Sequence, residues 1–227
     1  MFAQTKKKIY IIGSNPRDFY DLTIESIEIL SEVDLIILSR KFEKTFMSTF
    51  KKNDRKFIFE DDLTKRTGLH LWQKVLDLFS QYKTIAHLRS GDSLLFNNGN
   101  EQKKFFESHN IKVKIILGII EVVNWLNNES DLLTNRQKNS SITFFEKFNL
   151  NKIFKVLKYN KFEKLVVKID NNNDYISALK LIEKNKIKNI YTKIIRNGNF
   201  EVLEKKIKIK SPNDYLFLII EKWTNTN

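Results

Sequence analysis

Through the first half of the chain, apolar runs of four or five residues alternate with stretches of helical periodicity, and few folds accommodate that order. Ile9–Ile12 is too short for a helix and too continuous for a half-exposed strand, so it predicts a buried strand, and Asp34–Leu38, Thr84–Leu88 and Val113–Leu117 predict further strands. Between these strands, Thr23–Glu32 predicts a helix with Ile24, Ile27 and Leu30 on one face. Leu69, Trp72, Val75, Leu76 and Phe79 mark the clearest amphipathic helix, and another passes through Phe105 and Phe106. A turn is expected at Gly13–Asp18 and a loop at Ser90–Asn100. Strand, helix, strand in this succession means parallel pairing with helices on both faces of the sheet.

The second half reads differently. Ile119–Leu126 predicts a helix, Ile142–Phe145 and Leu165–Ile169 predict strands, and Asp174–Asn185 predicts a helix with Ile176, Leu179 and Ile182 inward. The triplet Asn171–Asn173 is expected to be a loop. Strands at Ile190–Ile195, Val202–Ile209 and Tyr215–Ile220 then follow without an intervening helix, which implies antiparallel pairs. The fold class is therefore α/β in two α/β domains, an N-terminal parallel sheet with flanking helices over residues 1–118 and a C-terminal mixed sheet over 119–227. With 227 residues, 41% hydrophobic and 12% aromatic, the chain has enough apolar material for both cores. Trp72, Phe79 and Phe105 are expected in the core, and His87, on a strand, as a packed or hydrogen-bonded histidine.

Composition narrows the chemistry. With no cysteine there is no disulfide, thiolate nucleophile or Cys-ligated metal. The three histidines, His70, His87 and His109, form no ligand pair at helical spacing, so no metal is expected. The opening MFAQTKKKIYIIG lacks the apolar core of a signal peptide, and no run approaches the ~18 apolar residues of a membrane span, so the expected compartment is the cytoplasm. The net charge of +13 raises polyanions as partners. Lysine supplies most of it, only seven of the 40 basic residues are arginine, and both halves share the excess, so no nucleic-acid arm stands apart.

Several segments carry a resemblance. KIYIIGSNPRDFYDLT places Gly13, Pro16, Asp18, Leu22 and Thr23 after a strand. LRSGDSLLFNNGNEQ places Leu88, Gly91, Asp92, Phe96, Gly99 and Glu101 after another. IILGIIEVV, LLTNRQKNSSITFF, KLVVKID and IIRNGN follow in order. Together they resemble the tetrapyrrole methylases, and within them the uroporphyrinogen-III C-methyltransferase branch, whose motifs run G-x-G-P-G-D, G-G-D-P, P-G-I-T-S, P-L-T-H-R, Y-M-G and E-N-G-T. The resemblance implies two α/β domains with S-adenosylmethionine in a cleft between them, a homodimer, and methyl transfer to a carbon of an anionic tetrapyrrole. It implies cofactor contacts at Pro16, Ser90, Gly91, Asp92, Leu95, Ile120, Ile169 and Gly198. Arg40 and Glu101 become candidates for catalysis, and Arg89 and Arg136 for gripping substrate carboxylates, which guanidinium groups pair bidentately.

The motifs also depart from the family. Ser39 stands where the family's Y-D-R places a carboxylate, and Ser39 is uncharged at neutral pH. Glu60–Asp62 fall where G-K-R is expected, Asn98 replaces a loop arginine, Ile120 a threonine and Ile169 a methionine. Two alternatives follow. One is a binding protein of this fold without turnover; the other is the ribosomal-RNA 2′-O-methylating branch of the same superfamily, whose acidic E-D-T-R signature is not seen at Leu38–Lys41.

Overall fold

A computed structural model describes residues 7–15, 21–50, 55–95, 98–128, 141–145, 149–158, 163–185, 191–196, 199–201 and 216–221. The chain divides into two compact units, Met1–Glu121 and Val122–Asn227.

The first unit is built on five parallel strands: β1 (Lys8–Ser14), β2 (Leu35–Leu38), β3 (Phe57–Phe59), β4 (Thr84–Ser90) and β5 (Lys112–Ile116), in the order β3-β2-β4-β1-β5. The helices are α1 (Ile24–Glu32), α2 (Glu43–Phe50), the short α3 (Glu60–Leu63), α4 (Leu69–Leu78) and α5 (Gly99–Ser108). On one face Ile12, Ile36, Leu38, Ala86 and Leu88 pack with Ile29 and Leu30 of α1, Phe42, and Phe46 of α2. On the other, Ile9, Leu35, Ile37 and Ile85 pack with Leu71 and Val75 of α4, Phe79, and Phe106 of α5. The parallel, doubly covered sheet read from the short apolar runs is thus present.

Two expected stripes are corrected. On α1, Ile24 and Ile27 are exposed, and Ser26, Ile29 and Leu30 are buried. Thr23 is the N-cap, its Oγ1 accepting from the Ser26 amide at 3.2 Å and pairing with the Ser26 hydroxyl at 2.8 Å. On α4 Leu69 is exposed, and Leu71 takes a place in the core that the spacing had not assigned it. Trp72, Phe79 and Phe105 do belong to this core, the rings of Trp72 and Phe105 lying 5.8 Å apart.

Elements without a strong period went unread. α2 and β3 lie in what reads as a polar stretch, since three residues of strand are too few to show a period. β2 and β4 start in register because Asp34 accepts from the amides of Lys83 and Thr84 and from the Thr84 hydroxyl, at 2.9, 2.8 and 3.0 Å.

The second unit carries α6 (Glu121–Asn128) at its start, then β6 (Ile142–Phe145), α7 (Leu150–Lys158), β7 (Lys164–Ile169), α8 (Asn172–Asn185), β8 (Tyr191–Arg196), β9 (Asn199–Glu201) and β10 (Leu216–Glu221). Its sheet order is β6-β7-β10-β8-β9, with β6 parallel to β7 and the other pairs antiparallel, a mixed sheet as expected. The expected loop Asn171–Asn173 is corrected. Asn171 caps α8, its Oδ1 accepting from the Asp174 amide at 2.9 Å, and the helix begins at Asn172. The inward stripe of α8 keeps Leu179 and Ile182 and gains Tyr175, Ala178 and Leu181, while the expected Ile176 is exposed. The strand expected at Val202–Ile209 lies outside the described residues.

Candidate active site

The strand order reverses at a definite place. β1 is followed by α1 on one face of the sheet, whereas its neighbour β4 is followed by α5 on the other. Beyond the carboxyl ends of two such strands the departing segments separate, which is where open α/β sheets bind ligands.

Three glycines line that edge. Gly13 is the penultimate residue of β1, Gly91 follows β4, and Gly118 lies two residues beyond β5. A Cβ on Gly13 would lie 2.4 Å from the Gly91 carbonyl oxygen and 2.6 Å from the Gly118 nitrogen, and one on Gly118 would lie 2.4 Å from the same oxygen. Every neighbour here is backbone, so only glycine lets the three segments approach this closely. Gly91 also has φ of +71°, a left-handed conformation that costs other residues about 1–2 kcal/mol. Its amide donates to the Ser14 carbonyl at 2.7 Å.

Asp92 fastens the arrangement. Oδ1 accepts from the amides of Leu94 and Leu95 at 2.8 and 3.1 Å, and Oδ2 accepts from the Gly118 amide at 3.2 Å. One buried carboxylate thus joins the turn after β4 to the segment after β5. Next to it, the hydroxyls of Ser14 and Ser93 are buried and have no hydrogen-bond partner among the described residues.

Beside the cradle lies a polar cluster. Arg89, paired in register with Gly13, donates from Nη1 to Oε1 of Glu60 at 3.1 Å. The same oxygen is 2.6 Å from Nε2 of His87, whose Nδ1 is 2.6 Å from the Gln102 amide nitrogen. His87 is fully buried, flanked by Ile11 and Ile37 on the neighbouring strands. With the Gln102 amide donating to Nδ1, the imidazole proton sits on Nε2 and is given to Glu60. Burial pushes the His87 pKa below its ordinary value, against the upward pull of Glu60. Burial would by itself raise Glu60, but the hydrogen bonds from His87 and Arg89 and the charge of Arg89 outweigh it and hold the carboxyl below its usual range.

The rest of α3 faces another arginine. Arg40 pairs with Asp62 at 2.6 Å, approaches Asp61 and Glu43 at 3.9 Å each, and covers the Phe59 ring 4.6 Å from its centroid. The acidic turn Glu60–Asp62 therefore divides between two arginines, Glu60 serving Arg89 and the aspartates serving Arg40.

A family model of the tetrapyrrole (corrin/porphyrin) methylases matches residues 8–124, more than half of the chain and the whole of this site. The chain belongs to that family. Over 147 residues it is 29% identical to the uroporphyrinogen-III C-methyltransferase of Cyanidium caldarium, covering 62% of this chain and 57% of that one. Over 114 residues it is 24% identical to the chloroplastic S-adenosyl-L-methionine-dependent uroporphyrinogen III methyltransferase of Arabidopsis thaliana, covering 49% and 31%. The chain thus spans less than two thirds of the length of these relatives. Among solved structures, the native uroporphyrin III C-methyltransferase of Thermus thermophilus matches with a TM-score of 0.69 at 16% identity, covering 95% of this chain and 97% of that one. The same Thermus enzyme complexed with S-adenosyl homocysteine matches at 0.68. At this identity the likeness shows the fold.

Within this tetrapyrrole methylase the anticipated residues fall in several places. Ser90, Gly91, Asp92, Leu95 and Arg89 gather at the end of β4. Ile120 lies two residues past Gly118, half-buried. Arg40 opens the short 3-10 turn two residues past β2, and Glu101 is exposed in the first turn of α5. Ile169 ends β7 in the second unit with its side chain wholly in that core. Pro16, Arg136 and Gly198 lie outside the described residues. Motif reading passed over Glu60 and Gln102. Their signal was the buried His87, which in a strand interior demands polar partners from neighbouring segments.

Proposed function

We propose that this chain is an S-adenosylmethionine-dependent C-methyltransferase acting on an anionic tetrapyrrole such as uroporphyrinogen III, working as a homodimer. The observation that carries the reading is the glycine cradle at the carboxyl ends of β1, β4 and β5, fastened by Asp92, in a chain of this family.

The residues suit the cofactor. The cradle offers backbone at close approach where a side chain would intrude, and the buried Ser14 and Ser93 hydroxyls have hydrogen-bonding capacity unspent among the described residues. Ser14, Ser90, Gly91, Leu95 and Gly118 would hold it. When bound, S-adenosylmethionine supplies an electrophilic methyl group on a sulfonium. The chain's part is to align the acceptor carbon, and orientation of this kind contributes roughly 7–11 kcal/mol to such reactions. With Ser39 at the end of β2 there is no carboxylate at the position of the family's Y-D-R aspartate. Absence of a general base typically costs about 10²–10⁴-fold, so slow turnover is expected.

The homologues named for uroporphyrinogen III support the substrate class, as does the net charge of +13. A second reading, a binding protein without turnover, is favoured by Arg40, whose guanidinium is already engaged by Asp62 and flanked by Asp61 and Glu43. Calorimetry with S-adenosylhomocysteine, followed by incubation with S-adenosylmethionine and uroporphyrinogen III and mass analysis, tests both. Binding together with added methyl groups supports the enzyme, binding without them supports the second reading, and no binding at high ligand concentration removes both.

A further inference from the structure

Resting on the substrate class proposed above, we infer that Glu60 is a positioning residue for substrate recognition, holding Arg89 at the cradle edge with His87 and Gln102 fixed behind it.

Four observations lead there. The chain of contacts runs inward without a break, from a partly exposed guanidinium to Glu60 Oε1, to the imidazole Nε2, and from Nδ1 to Gln102. Its inner members are enclosed, since His87 and Gln102 are both buried and the Gln102 amide nitrogen lies 2.6 Å from the imidazole Nδ1. Its outer member sits at the functional edge, since Arg89 shares a register position with Gly13 and lies two residues before Gly91. Finally, Glu60 engages Arg89 through Nη1 alone among the described residues, so the remaining N–H groups of the fork stay available to an incoming carboxylate.

The physical gain is orientational. A free arginine loses side-chain freedom when it grips an anion, whereas one already tethered to a fixed carboxylate loses less. There is an opposing effect: the charge on Glu60 also repels an anion. The two make opposite predictions for substitutions that separate geometry from charge. Glu60→Gln keeps the chain length and an acceptor for both His87 and Arg89 but removes the charge. Glu60→Asp keeps the charge but retracts the oxygens by one methylene, out of reach of both partners.

The test measures uroporphyrin III binding, by quenching of tryptophan fluorescence, to the full chain and to E60Q, E60D, R89A and E60D/R89A, with S-adenosylhomocysteine calorimetry and a melting curve for each. Positioning predicts that E60D weakens uroporphyrin about tenfold and E60Q by no more than about threefold. It also predicts unchanged S-adenosylhomocysteine affinity and no further loss from E60D once Arg89 is alanine. If E60Q binds uroporphyrin more tightly than the unmodified chain, or E60D binds equally well, Glu60 acts as a charge and the positioning role is wrong. The same follows if E60D costs as much in the R89A background, or if both ligands weaken in parallel. If the unmodified chain binds S-adenosylhomocysteine but not uroporphyrin, the substrate reading fails and takes this inference with it.

Discussion

His87 occupies the middle of an interior strand, and its neutral, doubly hydrogen-bonded state makes pH a stability variable for the first unit. Burial lowers its pKa in the fold, Glu60 offsetting part of that, while in the unfolded chain it returns to its ordinary value near 6.5. As pH falls below about 6.5 the unfolded chain takes up a proton that the folded chain resists. Stability conferred by the neutral histidine is therefore complete above that value and is lost as pH falls toward the lowered folded pKa. Glu60 acts in the same sense at lower pH: its pKa is also lowered in the fold, so its contribution is present above about 4.5 and disappears on further acidification. His70 and His109 are exposed and offer no comparable burial. The expected result is a denaturation midpoint that declines between pH 7 and 5, at most ~1.4 kcal/mol per pH unit for one proton. His87→Gln should start lower, by about 1–3 kcal/mol for disturbed buried hydrogen bonds, and show a flatter profile in that window. Denaturant titrations across pH check this, and parallel curves for the two proteins would count against it.

At the scale of elements, the second unit poses the sharpest energetic question. Lys164 at the start of β7 and Glu221 at the end of β10 face each other in register, 3.0 Å apart, and both side chains are fully buried. Removing one partner of such a pair strands a charge and typically costs about 3–5 kcal/mol, whereas replacing both with apolar groups is often neutral. Lys164→Met should accordingly destabilise the chain by about 3–5 kcal/mol in urea denaturation, and adding Glu221→Leu should restore most of the loss. A double variant no more stable than the single one would mean that the pair contributes more than mutual neutralisation. Neither residue was anticipated in the core, because strand patterning treats charges at strand ends as solvated. That is a general limit on what was legible. The strands β1, β4, β7 and β10 and the helix α4 carry enough apolar residues at regular spacing to reveal themselves. β3 has three residues, and α2 shows its burial chiefly through Phe46. α7 had a readable signal in Ile153 and Val156 at helical spacing behind Asn149, whose side chain accepts from the Lys152 amide at 3.0 Å. α1 offered two competing apolar faces, and the sheet took the one that carries Ile29 and Leu30. The glycine cradle and Asp92 were legible as motifs, since backbone crowding leaves glycine no substitute. The Glu60–His87–Gln102 chain was not, because its members come from three segments that only the sheet order brings together.

For the whole molecule the remaining question is what the charge of +13 does. The acidic turn of α3 shows that positive charge is not concentrated everywhere at the site: three carboxylates of that turn, together with Glu43, surround the two arginines Arg40 and Arg89. Local pairing alone therefore does not make this edge a strong anion attractor. On the proposed substrate reading, a polycarboxylate would be drawn mainly by the summed field of the excess lysines, which acts over distances comparable with the Debye length. That length is about 10 Å at 0.1 M salt and about 3 Å at 1 M. Attraction through the long-range field is consequently lost with salt, while a hydrogen-bonded contact such as that of Arg89 persists better. S-adenosylhomocysteine, carrying little net charge, should be nearly indifferent. Raising sodium chloride from about 0.1 to about 1 M should weaken uroporphyrin III binding by roughly tenfold or more, chiefly through slower association. The same change should leave S-adenosylhomocysteine affinity within about twofold. Stopped-flow fluorescence separates the two rates. Salt-independent association of uroporphyrin would show that the lysine excess has no part in substrate capture, and that recognition rests on local contacts at the carboxyl edge of the sheet.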